Sequence, residues 1–232
     1  MTSELVALTT YYNPSNCPTV RNNFTEFREH WKASGIPLRI IELAFDRESY
    51  QLEESHYKFR SRTRIWHKES LFNAVVPKLP REFTKVALVD ADIIWRNYNW
   101  GERLSAELDK HPMVQMWQSL TRTDEHGVAK DVIACRASNP TSHGYFGAMA
   151  FHRQMLETVR LFDTLVTGPN DVALFDAAKG LFDSYLYRKL RKSNQELYDL
   201  LHAWGKMVWN YVRGDIGYLR EDASHLWHGS HA

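Results

Sequence analysis

The sequence predicts an α/β fold, with a mostly parallel central sheet flanked by helices and a helical C-terminal region. Three observations lead there. In the first 120 residues, short apolar runs alternate with longer stretches of helical periodicity, the pattern of βαβ units. From about residue 152 onward, longer helical patterns take over. Finally, no repeat, low-complexity tract or Pro/Gly/Ser linker divides the 232 residues, so a single domain spanning 1–232 is expected.

The elements follow in order. Residues 5–10 read as a buried strand ending in the turn formers Asn13, Pro14, Ser15 and Asn16. Residues 19–34 read as a helix, because Val20, Phe24, Phe27 and Trp31 recur at spacings of three and four. Gly35 closes it and Pro37 follows. A second strand covers 38–45. A helix over 66–79 places Leu71, Val75 and Leu79 on one face and stops at Pro80. Residues 85–95 form the most apolar strand, and 113–119 another. Residues 145–151 read as one more strand, followed by helices over 152–166, 176–190 and 194–211. The tail after Gly214 reads as irregular and peripheral.

Composition excludes several classes. Hydrophobic residues make up 44% and charged residues 25%, ordinary values for a globular chain. The 29 basic residues nearly balance 28 acidic ones, giving a net charge of +1, which argues against a simple polybasic binder of nucleic acid or membranes. Two cysteines, Cys17 and Cys135, make no disulfide framework, so a reducing, cytoplasmic setting is expected. No apolar run approaches the roughly 20 residues of a membrane span. The opening MTSELVALTT carries Glu4 and no basic region, so it does not read as a secretory leader. The eight tryptophans read either as core or as stacking platforms for rings.

The most informative segment is VALVDADIIW, residues 86–95. Four apolar residues run into Asp90 and Asp92, and apolar residues follow. On an extended chain, carboxylates at i and i+2 point the same way. Their repulsion would raise one pKa unless a cation lies beside them. Mg²⁺ or Mn²⁺, hard ions that keep positions open for phosphate oxygens, meet that need. The carboxyl end of a strand is also where open α/β sheets bind ligands. The plainer alternative is a strand ending in a solvated turn, where aspartate is common.

With this motif in view, the stretch WHKESLFNAVVPKLPREFTKVALVDADIIWRNYNW resembles the core of nucleotide-sugar-dependent glycosyltransferases of the GT-A fold. LVALTTYYNP is similar to their first strand and nucleotide-binding turn, SHGYFGAMAFHR to the strand lining the donor sugar, and HLWHGS to a late His-Gly segment. The pieces occur in family order and span nearly the whole chain. The resemblance implies a GT-A type, Rossmann-like sheet, with 1–120 binding the nucleotide sugar and 121–232 forming the acceptor side and metal-ligand tail. It implies that Asp92 binds the metal and that Asp90 contacts the metal, its water or the ribose. His228, before Gly229, would complete the protein ligands. Thr9, Thr10 and Tyr11 would lie beside the base and ribose, Lys68 would reach the phosphates or sugar, and Gly144 and Gly147 would leave room for a sugar ring. The implied cofactors are Mn²⁺ or Mg²⁺, with a nucleotide-diphosphate sugar as donor.

Other features are more equivocal. His225 and His231, with His228, recur every three residues and suggest a zinc site when taken alone, but are expected to be incidental in a polar tail. Gly168-Pro169-Asn170-Asp171 reads as a helix cap. It also fits a turn carrying Asp171 as general base toward the acceptor hydroxyl, with Asp176 next in line. Lys58, Arg60, Arg62 and Arg64 alternate, so they make either a solvated basic edge or a track for a polyanion. Arg188, Lys189, Arg191 and Lys192 read as an exposed helix face.

A metal-dependent glycosyltransferase is therefore the leading expectation. Its acceptor would be a glycan, lipid-linked sugar, protein or, in a virus, a modified DNA base, and its source bacterial or viral. A sugar nucleotidyltransferase needs a Gly-rich phosphate loop with a basic residue after the first strand, and LTTYYNPSNCPT has neither. A non-catalytic carbohydrate-binding protein leaves the acidic pair unexplained.

Overall fold

The computed structural model describes residues 3–65, 67–139, 147–166 and 168–229. Among them the strands are β1 (Leu5–Tyr11), β2 (Leu38–Phe45), β3 (Tyr57–Ser61), β4 (Lys85–Val89), β5 (Ile93–Trp95), β6 (Met113–Gln115), β7 (Ser119–Thr123), β8 (Ala129–Ala134), β9 (Ala148–His152), β10 (Ile216–Tyr218) and β11 (Asp222–His225). The helices are α1 (Pro18–Ser34), α2 (Lys68–Val75), α3 (Gly101–Leu108), α4 (Arg153–Thr158), α5 (Asn170–Ala178), α6 (Tyr185–Ser193) and α7 (Gln195–Val212).

Seven strands form the central sheet in the order β10-β6-β9-β4-β1-β2-β3. Only β9 runs against the others, pairing antiparallel with both β4 and β6. This is the mostly parallel sheet, flanked by helices, that the GT-A resemblance implies. The strands are apolar because both faces are covered. On one face Phe24, Phe27 and Trp31 of α1 and Leu104 and Leu108 of α3 pack on Leu5, Ala7 and Val114. On the other, side chains of α2, α4, α5 and α7 pack on Val6, Leu8 and Val86.

Local signals explain the well-placed elements. Gly35 adopts φ +71° and ends α1, as its position after the periodic run predicts. The Asn194 side chain accepts a hydrogen bond from the Leu197 N–H at 3.0 Å and starts α7. Trp31, Trp100 and Trp117 are fully buried, so these tryptophans are core rather than platforms.

Several expected elements divide. The strand predicted over 85–95 is two strands in different sheets, because the chain turns at Asp90–Asp92, where Ile93 N–H donates to the Asp90 carbonyl at 3.2 Å. The acidic pair is therefore a turn and not an extended i, i+2 pair. The 113–119 run likewise divides between β6 and β7. The helix expected over 66–79 is α2 followed by a 3₁₀ turn, Val76–Lys78, at Pro77. The helix over 152–166 ends with α4, where Arg160 takes φ +60°. The one over 176–190 is replaced by α5 and α6, separated at Gly180, φ +71°.

The largest correction concerns the tail. β10 extends the central sheet, and β11 lies at the heart of a second, four-stranded sheet, β5-β11-β7-β8. The end of the described chain is structural, not a loose appendage.

Candidate active site

β4 is buried throughout and apolar after Lys85, and it delivers Asp90 to the carboxyl end of the parallel strands. The Asp90 N–H donates to the Gly147 carbonyl at 2.6 Å, which ties the turn to the chain entering β9. Gly147 sits at φ +47°, and a Cβ there would lie 3.2 Å from Ile93 Cδ1. The glycine thus serves a left-handed backbone and a close approach. Gly144 falls outside the described residues.

β5 then runs antiparallel to β11, pairing Ile93 with His225, and the Leu226 N–H donates to the Asp92 carbonyl at 2.8 Å. The second sheet in this way zips the tail onto the acidic turn. Asp92, His225 and His228 converge there, with one potential ligand atom from each lying within 4.8 Å of the others. His225 Nε2 is 3.5 Å from Asp92 Oδ2, and the two imidazoles stand nearly perpendicular with centroids 5.1 Å apart. His225, expected to be incidental, is thus part of the group, while His231 lies outside the described residues.

These side chains fit a divalent ion. Asp92 Oδ1 is buried with no hydrogen-bond partner, an arrangement that is costly unless something positive approaches. Burial pushes the Asp92 carboxyl up, and Asp90 pushes it the same way, while His225, His228 and Lys68 oppose. Asp92, His225 and His228 would hold such an ion, whose positive charge would answer the buried carboxylate.

Asp90 is not in that group. It accepts a hydrogen bond from Lys68 Nζ at 2.8 Å. Lys68 opens α2, and burial works against its charge, but Asp90, Glu69 and Asp171 more than offset this and hold it above the ordinary lysine range. Asp171 occupies the first turn of α5 and is not its cap, because the helix already begins at Asn170. Its Oδ1 accepts from the Val172 N–H at 2.8 Å. Lys68, Asp90, Gly147 and Asp171 line a common pocket. Asp176 faces elsewhere. It is buried and accepts from Arg136 Nη2 at 3.1 Å, with that guanidinium 4.1 Å from the Phe175 ring centroid.

The first strand corrects two expectations. Strand alternation puts Thr9 and Tyr11 inside. Thr9 is fully buried and offers no surface to a nucleotide. Tyr11 packs on Phe24 at 4.6 Å, and its hydroxyl donates to Gln51 Oε1 at 2.9 Å. Thr10 is half-buried near the end of β1. The residue missed was Tyr12, whose hydroxyl is pushed up to about 12 by burial and feels Lys68, Asp90 and Glu69. Carrying the period of two one residue further would have found it.

Only half of the basic row lies on edge strand β3, where Lys58 and Arg60 are exposed; Arg62 and Arg64 follow the strand and are exposed as well. Arg60 Nη1 donates to the Asp46 and Glu48 carbonyls at 2.8 and 2.7 Å, and Arg64 pairs with Glu48. Lys58 and Arg60 also sit over the Tyr50 ring. On α6, Arg188, Lys189, Arg191 and Lys192 are exposed.

No family model matches the chain, and no curated protein matches it. Among solved structures it is similar to the catalytic domain of Drosophila β1,4-galactosyltransferase 7 in complex with xylobiose, at 13% identity and a TM-score of 0.42, covering 73% of this chain and 58% of that one. A variant of that enzyme in complex with manganese, UDP-Gal and xylobiose gives 14% identity and a TM-score of 0.40 over the same shares. The chain therefore spans 58% of the length of those galactosyltransferase structures. A CMP:2-keto-3-deoxy-manno-octonic acid synthetase in complex with CTP matches 98% of this chain and 92% of its own, at 12% identity and a TM-score of 0.43. At such scores the likeness is distant and carries no function across. Among the described residues no helix is long and apolar enough to cross a membrane.

Proposed function

We propose that the chain is a metal-dependent glycosyltransferase, moving a sugar from a nucleotide-diphosphate donor to a hydroxyl acceptor. One observation carries this reading. Asp92, His225 and His228 converge at the carboxyl end of the central strands, beside the Lys68–Asp90 pair and the pocket that Asp171 lines. Asp92, His225 and His228 would hold the ion. When bound, it supplies Lewis-acid neutralisation of a diphosphate leaving group. Two imidazole nitrogens favour a transition ion such as Mn²⁺ over Mg²⁺, which prefers oxygen ligands.

The chain's own groups do the rest. Lys68, kept charged by three carboxylates, adds positive charge beside the leaving diphosphate. Thr10, half-buried near the end of β1, and Tyr12, which feels the Lys68–Asp90 pair, would flank the nucleotide. Asp171 accepts the proton of the acceptor hydroxyl as its oxygen bonds the anomeric carbon and the bond to the diphosphate oxygen breaks. In that role the product has inverted anomeric configuration. The absence of a Gly-rich basic loop after β1 favours glycosyl over nucleotidyl transfer. The contacts of Arg60 and Arg64 with loop 46–48 favour a solvated edge over a polyanion track, so a glycan or other small hydroxylated acceptor is preferred to DNA.

The test is hydrolysis of a panel of nucleotide sugars with Mn²⁺ and with chelator. At least one donor should release nucleoside diphosphate, and only with metal. Release of pyrophosphate from a nucleotide triphosphate and a sugar phosphate would instead identify a nucleotidyltransferase.

A further inference from the structure

The pocket that Asp171 lines has a character the transfer reaction alone does not require. Lys68, Glu69, Asp90 and Asp171 gather the charge, and apart from Asn170 the rest of its wall is apolar, built largely from Phe72, Met149, Phe151, Phe162, Leu174 and Trp204. A sugar ring presents hydroxyls all round and suits such a wall poorly, because each hydroxyl buried without a partner costs free energy.

One buried polar atom remains in this wall. Asn170 is 7% exposed. Its Nδ2 donates to the Leu165 carbonyl at 3.0 Å, which fixes the orientation of the amide. Oδ1 is then the atom left over, and it is buried without a hydrogen-bond partner. Of the other polar groups of the wall, Trp204 Nε1 donates to the Arg160 carbonyl at 3.1 Å and Lys68 Nζ to Asp90 Oδ1 at 2.8 Å. The wall therefore wants an apolar body carrying one N–H or O–H donor.

The geometry points to an acceptor whose reactive hydroxyl is borne on an aryl or short alkyl group that lodges in this pocket, with a donor on that group bonded to Asn170 Oδ1. This rests on the glycosyltransferase reading for the word acceptor, but the pocket's preference is testable without turnover. Trp204 reports on occupancy.

The test titrates the full chain with benzyl alcohol, toluene and methyl glucoside, following tryptophan fluorescence and ligand-observed NMR. Benzyl alcohol should bind saturably, and methyl glucoside should not compete with it. Toluene lacks the donor and should bind roughly fivefold more weakly, the size of one neutral hydrogen bond. Leu174→Phe fills the pocket and should weaken benzyl alcohol at least tenfold. If that variant melts far below the parent, Leu161→Phe serves instead. Equal binding of toluene and benzyl alcohol overturns the role of Asn170. Absence of saturable benzyl alcohol binding overturns the proposal, even where metal-dependent donor hydrolysis is intact. Binding without any donor hydrolysis overturns the glycosyltransferase reading and leaves the pocket standing.

Discussion

Replacing Gly147 by alanine perturbs the joint on which the site depends. The residue sits at φ +47°, where an L side chain is strained by roughly 1–2 kcal/mol. The added Cβ would stand 3.2 Å from Ile93 Cδ1 and 4.0 Å from Asp90 Oδ2. Ile93 can rotate its terminal carbon, so the steric part adds only tenths. A total of about 1–2 kcal/mol should lower Tm by roughly 2–8 °C for a chain of this length. The specific consequence lies elsewhere. The Gly147 carbonyl accepts the Asp90 N–H, so any backbone relaxation moves Asp90 and the turn that carries Asp92. Gly147→Ala should therefore also weaken Mn²⁺ binding several-fold in a calorimetric titration. Gly35→Ala is the control. It carries the same positive φ, at +71°, with nothing within 4 Å of its Cβ, at the far end of α1. It should lose comparable stability and keep the parent's Mn²⁺ affinity. Parent-like stability and affinity for Gly147→Ala, beside a destabilised control, would refute the reasoning.

The remaining expectations concern single groups. Asp171→Asn should leave donor binding intact and slow transfer by roughly 10²–10⁴, measured as product formation at saturating donor; near-normal turnover with an inverted product would remove Asp171 from the base role. Lys68→Met should raise the KM for nucleotide sugar, because Asp90 loses its partner and repels the diphosphate; an unchanged KM contradicts that. The Tyr12 hydroxyl has its folded pKa raised to about 12 from 10.0. The folded state thus holds a proton that the unfolded state gives up, and this contribution to stability, full below pH 10, is lost as pH rises toward 12. Tyr12→Phe should therefore lose less stability than the parent between pH 9 and 11.5, read as urea midpoints, and parallel curves would place Tyr12 in solvent.

What the sequence made legible follows from which forces are local. Helix α1 and strand β2 were readable because apolar periodicity and Gly35 are properties of the segment itself. The failures share a different cause. β11, with the sequence Asp222-Ala223-Ser224-His225, has no alternation to announce a strand, and it exists because β5 and β7 supply its partners on either side. Without that pairing in view, His225 looks incidental. The turn at Asp90–Asp92 was hidden for a related reason: Ile93 and Trp95 are as apolar as β4, yet belong to the other sheet. Within the site, Asp92, His228 and Lys68 were visible as chemistry-bearing residues in suggestive order. Thr9 and Tyr11 were misplaced because the motif was carried over as a block, while the strand alternates faces residue by residue. Asn170 was legible only as part of a helix cap, since its significance in the pocket lies in an unsatisfied atom.

The most direct measurement is donor hydrolysis by the metal-stripped protein, followed as Mn²⁺ is added back, for the parent and for Asp92→Asn, His225→Ala and His228→Ala. The parent should be inactive in chelator and recover fully with Mn²⁺, more readily than with Mg²⁺. Asp92→Asn should stay inactive at any Mn²⁺ concentration, having lost a contribution of several kcal/mol. Both histidine variants should need far more Mn²⁺, with His225 counting as much as His228. Full turnover by the parent in excess chelator, or an unchanged Mn²⁺ requirement in all three variants, would contradict a metal centre at this turn.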